Sequence, residues 1–166
     1  MKIFFDMDGV LADFNRGVIE LCHMQPQDQE NEDEEYTNSL WSAVRDVDHF
    51  YDRLEMMPGA KKLFDNAMKI SNGNCEILTG IPKPKRGIIT AGEDKIKWVR
   101  RLLSPDIKVN IVYKEEKKNF CTGRDCILID DLAANISAWN TAGGTGILYS
   151  NAEQVMKELS EIETAL

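Results

Sequence analysis

The stretch Lys2-Ile-Phe-Phe-Asp-Met-Asp-Gly-Val10 decides how the rest of the chain is read. The short, mostly apolar run Lys2-Ile-Phe-Phe5 is too short for a helix and reads as a buried strand, and Asp6-Met-Asp-Gly9 stops it in a polar turn. The same design recurs downstream. Cys75–Thr79 runs into Gly80, Val109–Val112 into charged residues, Cys126–Ile129 into Asp130-Asp131, and Gly146–Tyr149 into Ser150-Asn151. Between these strands lie helical stretches: Ala60–Ile70 after Pro58-Gly59, Glu93–Leu103 with Ile96, Val99 and Leu103 expected on its apolar face, Leu132–Ala142, and Ala152–Leu166. Strands alternating with helices predict an α/β fold with a parallel sheet covered on both faces.

The alternation breaks once. Residues 14–57 carry helix-like segments and no strand pattern, so the reading is a small helical cap inserted after the first strand (14–57) on an α/β core made of 1–13 and 58–166. The middle of the insertion, Gln25–Glu35, is acidic and nearly free of apolar side chains, as a solvated loop would be. At 166 residues the chain fits one compact domain with such an insertion. Twenty cations against 28 acids give a net charge of -8, which opposes a nucleic-acid polymer as partner. No apolar run approaches the ~18 residues of a membrane span, and Asp6 cuts the N-terminal apolar run too early for a signal peptide, so the expected location is cytoplasmic without a membrane partner. Cys22, Cys75, Cys121 and Cys126 form no CxxC pair, and reduced thiols rather than a zinc site are expected.

In an open α/β sheet ligands bind outside the carboxyl ends of the strands, where Asp6, Asp8, Thr79, Asp130 and Asp131 all fall. Asp6 and Asp8, two residues apart beside a glycine, can arrange a nucleophile next to an acid/base. Two like charges ~4 Å apart repel by about 4 kcal/mol at an effective dielectric of ~20, so converging carboxylates call for a cation. Oxygen-only ligands favour magnesium.

These motifs, in this order and across nearly the whole chain, resemble the haloacid dehalogenase-like phosphohydrolase superfamily, whose core is Rossmann-like. Asp6-Met-Asp-Gly-Val10 resembles its first motif, Thr79 after Ile77-Leu78 the second, a lysine among Lys114, Lys117 and Lys118 the third, and Asp130-Asp131 the fourth. The extended Asp6–Phe14 segment, Pro58-Gly59-Ala60 and Leu128–Asp131 are similar to 5'(3')-deoxyribonucleotidases and their bacterial and phage relatives. The resemblance implies a magnesium-dependent phosphomonoesterase acting on a small-molecule phosphomonoester, with a nucleoside monophosphate favoured and a sugar or other metabolite phosphate as the alternative. It assigns Asp6 as the nucleophile that forms an aspartyl-phosphate and Asp8 as the acid/base. Metal ligands would come from Asp6, the backbone carbonyl of Asp8 and the Asp130/Asp131 pair, with Asp131 favoured over Asp130. Spacing relative to Phe120 and Cys121, as in related phosphatases, favours Lys117 over Lys118 and Lys114 as the phosphate-binding lysine. Thr79 and Gly80 would hold phosphoryl oxygens, Gly80 standing where close relatives often carry Ser, and Phe14 would line the substrate pocket.

A phospho-acceptor receiver domain also uses acids, Thr and Lys on a parallel sheet, but it expects its acceptor Asp on a middle strand rather than the first. The intact acid set argues against a non-catalytic binding protein. Lys83, Lys85 and Arg86 read as a solvated basic loop, Gly143–Gly146 as a helix C-cap turn, His23 and His49 as surface or packing residues, and Trp41, Phe50 and Tyr51 as cap-packing aromatics. Neither the base and sugar preference nor the oligomeric state is legible in the residues.

Overall fold

In the computed structural model, which describes residues 1–28 and 31–165, five parallel strands form one sheet in the order β3-β2-β1-β4-β5. The strands are β1 (Lys2–Phe5), β2 (Cys75–Gly80), β3 (Val109–Val112), β4 (Cys126–Asp130) and β5 (Thr145–Leu148). β1 lies between β2 and β4, pairing Ile3 with Cys75 on one side and with Ile127 on the other. Its buried Ile3, Phe4 and Phe5 therefore need apolar cover on both faces, which explains an apolar run without alternation. Ile3 and Phe5 enter the large core, while Phe4 points to a second cluster with Leu78, Leu128, Ile136 and Trp139.

Six helices accompany the sheet among the described residues: α1 (Phe14–Cys22), α2 (Glu34–Asp46), α3 (Ala60–Ile70), α4 (Ala91–Leu102), α5 (Ala133–Thr141) and α6 (Ala152–Ala165). Short 3-10 helices occupy Phe50–Arg53, Pro84–Arg86 and Lys114–Phe120. Asp13 caps α1 by accepting from the Arg16 amide, and Asp33 caps α2 by accepting from the Tyr36 amide at 2.7 Å. The described residues of the segment 14–57 contribute α1, α2 and the 3-10 helix Phe50–Arg53 between β1 and α3, and no strand. Among the described residues no helix is long and apolar enough to cross a membrane, and none of the four cysteines is in a disulfide.

Where sequence expectation and structure differ, the causes are local. The acidic stretch Gln25–Glu35 ends inside α2, because Asp33 is a good cap and Glu34 and Glu35 suit the positive end of a helix dipole. The Tyr36 hydroxyl donates to the Gln25 carbonyl and accepts from the Gln27 amide, which ties the start of that stretch down. Gln29, Glu30 and Leu166 lie outside the described residues. Of Ile96, Val99 and Leu103, expected on the apolar face of α4, Val99 and Leu103 are buried but Ile96 is exposed, and the buried stripe of the helix runs instead through Ala91, Asp94, Lys95, Trp98 and Val99. Trp98 sets that rotation by burying its whole indole and donating Nε1 to the Leu54 carbonyl at 2.8 Å. β5 begins one residue early, at Thr145, and the glycine turn before it carries Gly143 at φ 95, as a helix C-cap requires.

In the observed strand order, β1 leads on one side to β2 and β3 and its neighbour β4 leads on the other to β5. The crevice at this switch in chain direction opens beyond the carboxyl ends of β1 and β4, which places Asp6, the residue after β1, beside Asp130, the last residue of β4.

Candidate active site

The loop after β1 is built to turn sharply. The Met7 carbonyl accepts the amides of Leu11 and Ala12, both at 2.9 Å, and the Met7 amide donates to Asp6 Oδ1 at 2.8 Å. Gly9 sits at φ 78, and a Cβ there would stand 2.2 Å from Asp131 Oδ2. Glycine at position 9 is therefore required twice, by the left-handed backbone and by the close approach of the β4 loop. Asp6, Asp130 and Asp131 each place a carboxylate oxygen within 4.8 Å of one another.

Lys117, buried in the 3-10 helix after β3, joins two of these acids: its Nζ lies 2.9 Å from Asp6 Oδ1 and 2.7 Å from Asp130 Oδ2. Burial by itself favours the neutral amine, but Asp6 and Asp130 outweigh it and hold the ammonium well above its ordinary pKa. Lys118 and Lys114 are exposed, so the three candidate lysines are separated by burial alone. Asp130 has both oxygens engaged: Oδ2 accepts from Lys117 and from Asn135 Nδ2 at 3.0 Å, and Oδ1 accepts the Leu132 amide at 2.9 Å. No side-chain partner engages Asp131 among the described residues, and burial together with the charges of Asp6, Asp130 and Asp8 raises its pKa. A carboxylate crowded by three others, with a backbone amide as its donor and no side-chain donor beside it, is one that a cation would relieve.

Asp8 is held differently. Lys95 of α4, with none of its surface exposed, donates to Asp8 Oδ2 at 2.7 Å, to Thr79 Oγ1 at 3.0 Å and to the Gly80 carbonyl at 2.6 Å. Its Nζ also sits 4.5 Å from the centre of the Tyr51 ring. Asp8 Oδ1 has no hydrogen-bond partner among the described residues. Burial raises the Asp8 pKa, the Lys95 charge opposes this, and Asp6 adds to the rise, with a net upward shift. One oxygen tied to a buried cation and the other unengaged is a suitable arrangement for a group that must give up and take back a proton.

These groups border a cavity of about 410 Å3. Asp6, Asp8, Lys117 and Asp131 are among its lining, together with Gly80. Thr79 is fully buried and lies behind this lining, its hydroxyl engaged by Lys95. Phe14, Trp41 and Tyr51 form an aromatic side: the Phe14 ring centre is 6.2 Å from Trp41 and 6.4 Å from Tyr51, while Phe50 packs edge-on behind it at 5.6 Å. Trp41 and Tyr51, expected to serve only cap packing, thus also face the cavity.

The structure brings Asp6, Asp8, Phe14, Gly80, Lys117, Asp130 and Asp131 together as the sequence expected, with Thr79 just beneath. Sequence reasoning missed Lys95 and Asn135. Lys95 lies in the charged run Glu93–Lys97, which looks like a solvated face; the available signal was its spacing of three and four residues before Trp98 and Val99, on the buried stripe. His49, read as a surface or packing residue, also has a specific partner, with Nδ1 2.9 Å from Asp94 Oδ1.

Comparison with known proteins adds independent support. In fold, the chain is similar to a haloacid dehalogenase-superfamily hydrolase from Ehrlichia chaffeensis, at 14% identity over 97% of this chain and 96% of that one, TM-score 0.55. It is also similar to a hydrolase from Pseudomonas syringae, at 15% identity over 97% and 98%, TM-score 0.52. An uncharacterized protein from Corynebacterium glutamicum matches at 18% identity over 98% and 94%, TM-score 0.50. None of the curated proteins compared with it matches the chain. A family model described as 5' nucleotidase, deoxy (pyrimidine), cytosolic type C protein matches residues 1–159. With the acid pairs at the ends of β1 and β4 and a lysine joining them, the chain belongs to this family of nucleotidase-like hydrolases.

Proposed function

We propose that this phosphatase hydrolyses small phosphomonoesters, nucleoside monophosphates among them, through an aspartyl-phosphate on Asp6. The observation that carries this reading is the division of labour between Asp6 and Asp8. Asp6 is charge-paired with Lys117 and borders the cavity, whereas Asp8 is tied by one oxygen to Lys95 and keeps the other unengaged.

In the first half-reaction an Asp6 carboxylate oxygen attacks phosphorus, the bond from phosphorus to the ester oxygen breaks, and Asp8 gives its proton to the departing alkoxide. In the second, Asp8, now a carboxylate, takes a proton from water as that water attacks the same phosphorus and releases Asp6. Lys117 offsets negative charge on Asp6 and the phosphoryl oxygens, and the backbone at Gly80 stands where those oxygens would be received. Asp130, saturated by Lys117, Asn135 and the Leu132 amide, positions Lys117 rather than serving as the chief metal ligand. Asp6, Asp131 and the Asp8 carbonyl are the groups that would hold magnesium, and an all-oxygen set suits that ion. When bound, magnesium supplies positive charge that lets an anionic nucleophile approach a phosphate dianion. In this reading the described residues of 14–57 serve as a cap, and Phe14 and Trp41, which line the cavity, would stack on the leaving group.

The test is phosphate release from a panel of nucleoside monophosphates, sugar phosphates and a small aryl phosphate, with magnesium and with chelator. Magnesium-dependent release, fastest for nucleoside monophosphates, is expected. Release confined to sugar phosphates would overturn the nucleotide preference, and no release from any ester would overturn the reading as a whole.

A further inference from the structure

The cavity has a second charged wall that the mechanism does not use. Lys83, Lys85 and Arg86, in and beside the 3-10 helix that follows β2, and Lys114, at the start of the segment after β3, all line it. The chain as a whole is acidic, yet outside the catalytic groups this cavity collects four cations against Glu32 and Glu115.

The partners of these cations matter more than their number. Lys83 is compensated, with Nζ 3.2 Å from Glu115 and 4.2 Å from the centre of the Tyr113 ring. Arg86 is half-buried and is fixed by donating from Nη1 to Asn38 Oδ1 of α2 at 2.7 Å. That partner is a neutral amide, so it orients the guanidinium without cancelling its charge. Lys85 and Lys114 make no ion pair among the described residues. The Lys114 backbone nitrogen lies 3.5 Å from where a Cβ on Gly80 would stand, so the backbone that carries this lysine runs beside Gly80, while its charge is felt by Glu32 and Glu115. A merely solvated basic loop has no reason to present to this cavity a guanidinium that is oriented and has no acidic partner among the described residues. A planar fork with spare donors suits the oxygens of a phosphate.

We propose that Lys83, Lys85, Arg86 and Lys114 form a second anion subsite, so that the preferred substrates carry a second phosphate on the leaving group. This deepens the phosphomonoesterase reading and rests on it: the scissile phosphate faces Asp6, the middle of the substrate lies along Phe14 and Trp41, and the second phosphate meets the basic wall.

The experiment compares kcat/KM for a nucleoside 3',5'-bisphosphate and a hexose bisphosphate with the corresponding monophosphates, in the wild-type protein and in the double variant Lys85→Gln/Arg86→Gln. At least one bisphosphate should exceed its monophosphate by about tenfold or more, the scale of one charge-assisted hydrogen bond. That preference should shrink as salt rises and fall to near one in the double variant, mainly through KM. Which bisphosphate shows it identifies the middle of the substrate. Turnover of both members of each pair with equal kcat/KM would overturn the second subsite and leave the phosphatase reading standing. A preference that survives in the double variant would also overturn it, whereas failure to turn over any ester would instead strike the reading on which it rests.

Discussion

Replacing Lys95 by Met keeps the length of the side chain and removes the cation that is hydrogen-bonded to Asp8. Lys95 is wholly buried and has three acceptors within 3.0 Å, so the variant strands Asp8 Oδ2, Thr79 Oγ1 and the Gly80 carbonyl together. At 2.7 Å the attraction to Asp8 is about 6 kcal/mol for an effective dielectric of ~20, and burying the ammonium cancels much of it. Breaking a buried pair from one side costs roughly 3–5 kcal/mol, and the lower end applies here because Asp8 can escape by taking up a proton. The expected loss of stability is therefore about 3 kcal/mol, measured by urea unfolding at neutral pH. Catalysis should change in a way that a packing defect does not. Without Lys95 the Asp8 pKa rises further, so the carboxylate needed to activate water forms only at higher pH. The acidic limb of the kcat profile should move to higher pH as kcat falls, and Lys95→Met should retain more of its activity under alkaline conditions. A variant with wild-type unfolding and an unmoved acidic limb would refute the role assigned to Lys95.

Other substitutions separate neighbouring residues. Lys117→Met should lower turnover by at least ~100-fold, the scale of losing one charged stabiliser, while Lys118→Met, exposed and outside the acid cluster, should change it little; steady-state kinetics reads both. Gly9→Ala forces a methyl group against Asp131 and a strained backbone, so a lower thermal midpoint and loss of magnesium affinity by calorimetry are expected. In chelator, the raised pKa of Asp131 means that the folded state binds more protons than the unfolded chain above the ordinary carboxylate range. Stability of the metal-free protein should then fall as pH rises from about 4 toward the raised value, and Asp131→Asn should flatten that slope in thermal melts.

How much of this was legible before the structure depended on whether local sequence carried the signal. β1 and β4 could be placed because uninterrupted apolar runs ending in acids are rare and both faces of those strands are covered. Asp6, Asp8, Asp130 and Asp131 followed from strand ends alone, since strand ends in a parallel sheet share one edge. The rotation of α4 was not legible. Its orientation is fixed by Trp98 reaching the Leu54 carbonyl, a partner 44 residues away, and that rotation is what carries Lys95 inward. The resemblance favoured Asp131 over Asp130 as metal ligand, but the physical ground for the difference was not legible, because it depends on Asn135 and the Leu132 amide engaging Asp130. The basic residues after β2 were visible as a run, but their facing the cavity and the neutral partner of Arg86 come from tertiary contact with α2.

The central claim is that Asp6 carries the phosphoryl group. The most direct measurement is rapid acid quench of the protein with the ester it turns over fastest, labelled in the scissile phosphate, followed by peptide mapping of protein-bound label. The account predicts label on the peptide containing Asp6 within the first turnover, sensitive to hydroxylamine and missing from Asp6→Asn. Burst release of phosphate with no protein-bound label, or label that persists in Asp6→Asn, would contradict it.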